Sequence, residues 1–287
     1  MIWIIGAYPF NILLEPKDAA KMKFKVIIDV REPEMYEKGH IQGAVNLPVN
    51  SFLQSEDGIP FQMKSIDTLI EVISSLGARQ DDPVLIYSSG KLPIFYANVG
   101  RLFFVLEYLG FEKVFVLNGG YEAWVENKLP TSTKRGLSPR IRLKAKPDSS
   151  LIVDKSFVLK VLGDPNYQIF DVRPSEYYFG VYGQPFYQRF GHIPQAFSLP
   201  FEFFFTRAND NFYVLKNAES IDTILKAVVN PNAKHYIFYC NTGREASLGY
   251  FIFRMMGYPK EKLKVFEGSF AVWSRDTTLP VVRFKWY

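Results

Sequence analysis

Short apolar runs that stop abruptly at polar or reactive residues recur along the chain. Val26-Ile27-Ile28 ends at Asp29, Ile169-Phe170 at Asp171, Val84-Leu85-Ile86-Tyr87 at Ser88 and Tyr236-Ile237-Phe238-Tyr239 at Cys240. Runs this short, β-branched or aromatic and without polar alternation, predict strands buried on both faces. Between them lie stretches with helical spacing at 65–76, 220–229 and 245–256; the last carries Ala246, Leu248, Phe251, Ile252 and Met255. Strand-like and helical stretches alternate, so α/β units with a mainly parallel sheet are expected. The apolar opening MIWIIGAYPFNILL is interrupted by Pro9 and is too short to span a bilayer. It lacks a basic leading segment and a small-residue cleavage site, and is read as a first strand and turn.

The pattern occurs twice. Residues 26–31 match 168–173 at an offset of 171 − 29 = 142, and Gly39-His40-Ile41 matches Gly191-His192-Ile193 at 191 − 39 = 152. The second copy therefore carries 152 − 142 = 10 extra residues between these motifs, within 177–190. Residues 84–88 match 236–240, Leu109-Gly110-Phe111 matches Met256-Gly257-Tyr258, and 117–124 matches 266–273. Blocks recurring in one order predict a tandem duplication: a first domain over 1–130, a linker over 131–150 and a second domain over 151–287. The linker is rich in basic and small residues, with Pro139 and Pro147, and 140–144 is a candidate opening strand. The two copies are expected to pack face to face.

A chain of 287 residues suits two domains better than one, and 48% hydrophobic with 16% aromatic residues suffices for packed cores, which excludes a disordered chain. The formal charge of +5 is modest and its basic residues are dispersed, without a nucleic-acid signature. One cysteine rules out an internal disulfide and agrees with a reducing, cytoplasmic location. Three histidines beside it are too few for a zinc cluster.

That cysteine is the strongest chemical signal. Cys240 lies where a strand ends and a helix begins, on the loop Asn241-Thr242-Gly243-Arg244. Such a loop can aim successive backbone N–H groups at one point, at the positive end of a helix dipole. Arg244 adds a fixed positive charge. All three favour the thiolate, the nucleophilic form, so a lowered thiol pKa is expected. The alternative is a buried structural cysteine; polar, glycine-containing flanks and a neighbouring cation argue against it.

Together these motifs resemble the two-domain sulfurtransferases of the rhodanese family. The resemblance rests on Asp-Val-Arg at 29–31 and 171–173, Gly-His-Ile at 39–41 and 191–193, and the strand–Cys240–loop–helix unit. It is completed by Gly-Gly-Tyr-x-x-Trp at 119–124 and Gly-Ser-Phe-x-x-Trp at 268–273, and it covers nearly the whole chain. It implies two tandem rhodanese-like domains, each a doubly wound α/β unit with helices on both faces of a mainly parallel sheet. The first has lost its cysteine: Ser88 stands there, followed by Ser89-Gly90-Lys91-Leu92-Pro93, unlike the second loop. The resemblance also implies a chemistry. Cys240 would be catalytic, attacking the outer sulfur of thiosulfate or 3-mercaptopyruvate, carrying it as a persulfide and passing it to cyanide or a thiol. The backbone N–H groups of Asn241, Thr242, Gly243, Arg244 and Glu245 would hold the anion. No metal or organic cofactor is implied, and the expected partners are small molecules, with no nucleic acid and no membrane.

The loop departs from both common patterns. Asn241-Thr242 matches neither the Arg-Lys usual in thiosulfate-preferring members nor the Gly-plus-small-residue pair of mercaptopyruvate users. The place of a substrate-binding arginine falls on Tyr177. Arg244 is expected to supply the anion contact, with Arg189 of the inserted segment as a second cation, and thiosulfate is expected as the better donor.

Other conspicuous residues have simpler explanations. Asp29, Arg31, Asp171, Arg173, His40 and His192 occur in both copies, including the one without cysteine, which predicts structural roles. Trp124 and Trp273 are expected core anchors, and His235 is given no role. A cysteine phosphatase would place its arginine six residues after the cysteine, where this chain has Ala246. A non-catalytic binding module fits the Ser88 copy better than the Cys240 copy.

Overall fold

The computed structural model describes residues 10–286. Most of the apolar opening lies outside the described residues; its last part forms β1 (Leu13–Leu14). The first repeat continues with β2 (Val26–Asp29), β3 (Val45–Asn46), β4 (Leu53–Glu56), β5 (Ile59–Met63), α1 (Ile66–Ser74), β6 (Val84–Tyr87), α2 (Pro93–Tyr108), β7 (Val114–Leu117) and α3 (Gly120–Glu126). The second runs through β8 (Ile152–Val153), β9 (Tyr167–Asp171), β10 (Phe197–Ser198), β11 (Phe205–Arg207), β12 (Tyr213–Leu215), α4 (Ala218–Val228), β13 (His235–Tyr239), α5 (Arg244–Met255), β14 (Leu263–Phe266) and α6 (Ser269–Arg275).

The strand order is β1-β7-β6-β2-β3 in one sheet and β8-β14-β13-β9-β10 in the other, and all their pairings are parallel. The central strands read as continuous apolar runs because both faces are covered; all four residues of β6 are buried. The predicted helices begin where side chains can cap them: Ser65 accepts from Thr68 N ahead of α1, and Asn217 from Ser220 N ahead of α4.

The duplicated Asp-Val-Arg and Gly-His-Ile motifs build closely similar contacts in both copies, though His40 bonds through both ring nitrogens and His192 through Nδ1. Arg31 binds Asp29 through Nε and Nη2 and donates to Gly39 O at 2.7 Å; Arg173 binds Asp171 likewise and donates to Gly191 O at 2.8 Å. His40 and His192 each stack on a tyrosine, Tyr36 or Tyr178, with ring centroids 3.7 Å apart. These groups fasten a strand end to the turn after it and face no opening.

The residues between the sheets are held firmly. Thr131–Ser132 pairs antiparallel with His40–Ile41, Ile141 N donates to Ser74 O at 3.0 Å, and Leu143 is buried. Residues 140–144 form no strand, contrary to expectation: their N–H groups at 141 and 143 bond to Ser74 on α1, not to a sheet edge.

The repeats meet along α2 and α5, the helices that follow Ser88 and Cys240. Gly100 allows the approach, since a Cβ there would lie 2.7 Å from Leu248 Cα. Phe103 meets Phe251 edge-on at 4.9 Å and Phe104 meets Tyr250 at 5.1 Å, so one apolar core runs through both repeats. At the far end Glu107 accepts from Tyr250 Oη at 2.6 Å and pairs with Arg254.

A second contact is reciprocal. The β4–β5 hairpin of the first repeat reaches the Cys240 loop, with Gln62 Nε2 donating to Thr242 O at 2.9 Å and Met63 N to Glu267 Oε1 at 3.1 Å. The β11–β12 hairpin of the second reaches the Ser88 loop, with Tyr213 N donating to Gly90 O at 2.7 Å and Leu215 N to Asn118 Oδ1 at 3.0 Å. Glu267 and Asn118 occupy matching places in the two copies. Among the described residues no helix is long and apolar enough to cross a membrane.

Candidate active site

Cys240 directly follows β13, and the chain turns into α5 within four residues. The turn requires Gly243, whose φ of +101° lies in the left-handed region and whose missing Cβ would meet Glu267 O at 2.8 Å. The resulting loop aims amides at the sulfur: Gly243 N donates to Sγ at 3.1 Å and Thr242 N at 3.4 Å. Ser269, at the start of α6, accepts from Cys240 N through Oγ at 3.1 Å.

Groups from both repeats brace this loop. Arg101, an arginine inside the largely apolar α2, has no exposed surface and pairs with Glu267 through both Nη atoms; Nη1 also reaches Ser247 Oγ at 3.1 Å and Gly243 O at 3.4 Å. On the other side Tyr187 donates a short hydrogen bond to Asn241 Oδ1 and lies 3.4 Å from Arg173 Nη1. Tyr187 belongs to the ten-residue insertion, and its signal was the insertion itself. Arg101 was legible only as a charge interrupting an apolar helix. Gln62 and Glu267 carried no signal.

The electrostatics depart from expectation. Cys240 is wholly buried, and loss of solvent, followed by the Glu245 carboxylate, pushes its thiol well above the ordinary range; the Thr242 and Ala246 amides pull only partly back. The predicted lowering rested on amides, dipole and Arg244, and it omitted desolvation. The Arg244 charge is also spent elsewhere. Nε and Nη2 bind Glu245 Oε1 at 2.9 and 2.7 Å, Nη1 reaches Asn98 Oδ1 at 3.4 Å, and the guanidinium lies 4.1 Å over the Phe61 ring. Glu245 is 4% exposed; burial raises its pKa, but Arg244 and the Cys240 thiol outweigh this and hold the carboxyl below its usual range.

The second expected cation and the tyrosine at the place of the missing arginine are both otherwise engaged. Arg189 donates to the carbonyls of Trp273, Ser274, Asp276 and Leu279, so it ties down the chain after α6 and does not act as an anion site. Tyr177 accepts from Gln184 Nε2 at 3.0 Å. In the first copy the loop after Ser88 is already filled from within. Glu122 accepts from Gly90 N at 2.6 Å and Ser89 Oγ at 2.9 Å, where the second copy has Ala271.

Comparison with known proteins agrees with this architecture. The family model for the rhodanese-like domain matches residues 11–127 and again 155–276. A relative from Synechococcus elongatus, provisionally named a thiosulfate sulfurtransferase, is 32% identical over 263 residues, 89% of this chain and 79% of its own. The Gallus gallus thiosulfate sulfurtransferase is 25% identical over 83% of this chain and 79% of its own. The 3-mercaptopyruvate sulfurtransferase of Escherichia coli K12 is 25% identical over 87% and 85%. Among solved structures, an anaerobic ergothioneine biosynthesis enzyme from Chlorobium limicola superposes with a TM-score of 0.81 at 22% identity, over 95% of this chain and 70% of that one, which speaks to the fold. Curated relatives over most of the length are sulfurtransferases, and the chain belongs to the rhodanese-like family, with its domain present twice.

Proposed function

We propose that this chain is a thiosulfate sulfurtransferase that carries a sulfane sulfur as a persulfide on Cys240 and delivers it to cyanide or a thiol. The observation that carries the reading is the amide cradle: two backbone N–H groups converge on the one thiol of the chain, at the N-terminus of a twelve-residue helix. Such donors stabilise a terminal sulfur anion without a metal or an organic cofactor. Asn241, Thr242, Gly243, Arg244 and Glu245 form the surrounding loop. Because Cys240 has no exposed surface, donors enter only when the covering β4–β5 hairpin yields.

Thiosulfate is favoured over 3-mercaptopyruvate because the latter needs a carboxylate grip, and Tyr177 and Arg189 provide none. The test is intact mass after thiosulfate treatment. Wild type should gain one sulfur atom and Cys240→Ser none. Steady-state kcat/KM for both donors then decides between them, and a higher value for 3-mercaptopyruvate would replace the donor while keeping the persulfide.

A further inference from the structure

The insertion that distinguishes the second repeat sets one phenol against the Cys240 loop. Tyr187 is 8% exposed and packs edge-on against Phe270, with ring centroids 5.1 Å apart. Burial pushes its phenol up, so it keeps its hydrogen. Arg173, already paired with Asp171, directs Nη1 to Tyr187 Oη at 3.4 Å. A guanidinium only donates, so the phenol oxygen accepts there and its own hydrogen goes to Asn241 Oδ1. That bond fixes how the Asn241 amide is turned. Its oxygen is held by Tyr187, and the two hydrogens on Nδ2 have no partner among the described residues.

The first repeat lacks this arrangement. Arg31 pairs with Asp29 in the same way, but its Nη1 has no hydrogen-bond partner among the described residues. Ser89, at the place of Asn241, donates its hydroxyl to Glu122 at 2.9 Å. The relay from Asp171 through Arg173 and Tyr187 to Asn241 therefore accompanies the cysteine. Within the loop, Cys240, Thr242, Gly243 and Glu245 are buried, and only Asn241 and Arg244 are partly exposed. A molecule approaching the sulfur meets those two side chains. The Arg244 guanidinium is taken up by Glu245, and Arg275, beside the insertion, donates to the carbonyls of Asp57 and Phe186. What remains next to the cysteine is a neutral amide with both hydrogens unused.

We propose that Tyr187 is a positioning residue and Asn241 the residue that reads the sulfur donor: the phenol, itself oriented by Arg173, holds the Asn241 amide so that Nδ2 donates to the donor's sulfonate oxygens beside Cys240. This rests on the sulfurtransferase reading above. The Thr242 and Gly243 amides hold the sulfur end, and Asn241 holds the oxygen end. The lock supplies preorganisation. An unheld amide would also present its oxygen, which repels an anionic oxygen, and binding would then carry the cost of turning it round.

The experiment is steady-state kinetics with thiosulfate and cyanide on wild type, Tyr187→Phe, Asn241→Ala and the double variant. In a two-step exchange kcat/KM for each substrate reports its own half-reaction, and cyanide has no oxygen for an amide to hold. Tyr187→Phe keeps the ring against Phe270 and removes the hydroxyl. Its kcat/KM for thiosulfate should fall about ten-fold, the effect of one hydrogen bond, while that for cyanide stays within about two-fold. Asn241→Ala should lose at least as much toward thiosulfate, and adding Tyr187→Phe to it should have no further effect, because the phenol then has no amide to orient. A tyrosine that merely props the loop would loosen the amides at the sulfur, lower both kcat/KM values together and remain damaging in the Asn241→Ala background. That pattern overturns the proposal, as does an unchanged thiosulfate value in either single variant. If Tyr187→Phe does not fold, Asn241→Ala decides through the same contrast between thiosulfate and cyanide. A wild type that accepts sulfur only from 3-mercaptopyruvate overturns the sulfonate assignment. A wild type that gains no mass from either donor refutes the sulfurtransferase reading and this role with it, whereas sulfur loading with intact thiosulfate kinetics in Tyr187→Phe refutes the role alone.

Discussion

At the scale of single residues, Arg101 and Ser88 show how misleading position can be. Arg101 lies in the repeat without cysteine, yet it braces the Cys240 loop and neutralises Glu267. Arg101→Met should remove about 3 kcal/mol of stability, because a largely buried carboxylate loses its partner. Chemical denaturation measures this, and a loss below about 1 kcal/mol, the level of a surface pair, would show that Glu267 finds solvent instead. Ser88 occupies the cysteine's place, but Glu122 already engages the amide at Gly90. Ser88→Ala should therefore leave turnover within a few-fold of wild type, and a steep loss would put Ser88 in the reacting site. The turn that carries Cys240 was legible, since a strand, a cysteine, a glycine turn and a helix are a local sequence of events. The thiol's ionisation was not, because desolvation depends on what the rest of the chain lays over it.

At the scale of elements, the buried strands were the most legible feature. β6 and β13 have both faces covered, so no polar alternation blurs their apolar runs. The hairpins were illegible for the opposite reason: β4 exposes Gln54, Ser55 and Glu56, and nothing local says that Gln62 will bind across 180 residues to Thr242. The β4–β5 hairpin also carries Phe61 at a φ of +62°, a left-handed conformation unfavourable for an aromatic residue, with its ring against Arg244. Phe61→Gly should relieve that backbone strain, of order 1 kcal/mol, and offset part of the lost packing. Its melting temperature should stay near that of wild type while Cys240 alkylates several-fold faster at fixed pH. An unchanged alkylation rate would mean that donors reach the thiol by another path.

At the scale of the whole molecule, the α2–α5 contact makes two repeats into one cooperative body. The duplication predicted two units packed face to face; which faces meet is set by Gly100, whose absent side chain gave no periodic signal. Gly100→Leu would drive a side chain into the Leu248 backbone, with overpacking on the order of 1–3 kcal/mol or more. Calorimetry should show one unfolding transition for wild type and two for Gly100→Leu, one per repeat. A single transition with only a lowered midpoint would show that the crossed hairpins suffice to couple them. Those hairpins have a consequence for inheritance. Each half of the chain wears a cover made by the other, as two identical subunits exchanging arms would. The half without a cysteine therefore cannot vary freely, because its residues at 62–63 also hold the loop that carries Cys240 in its sibling.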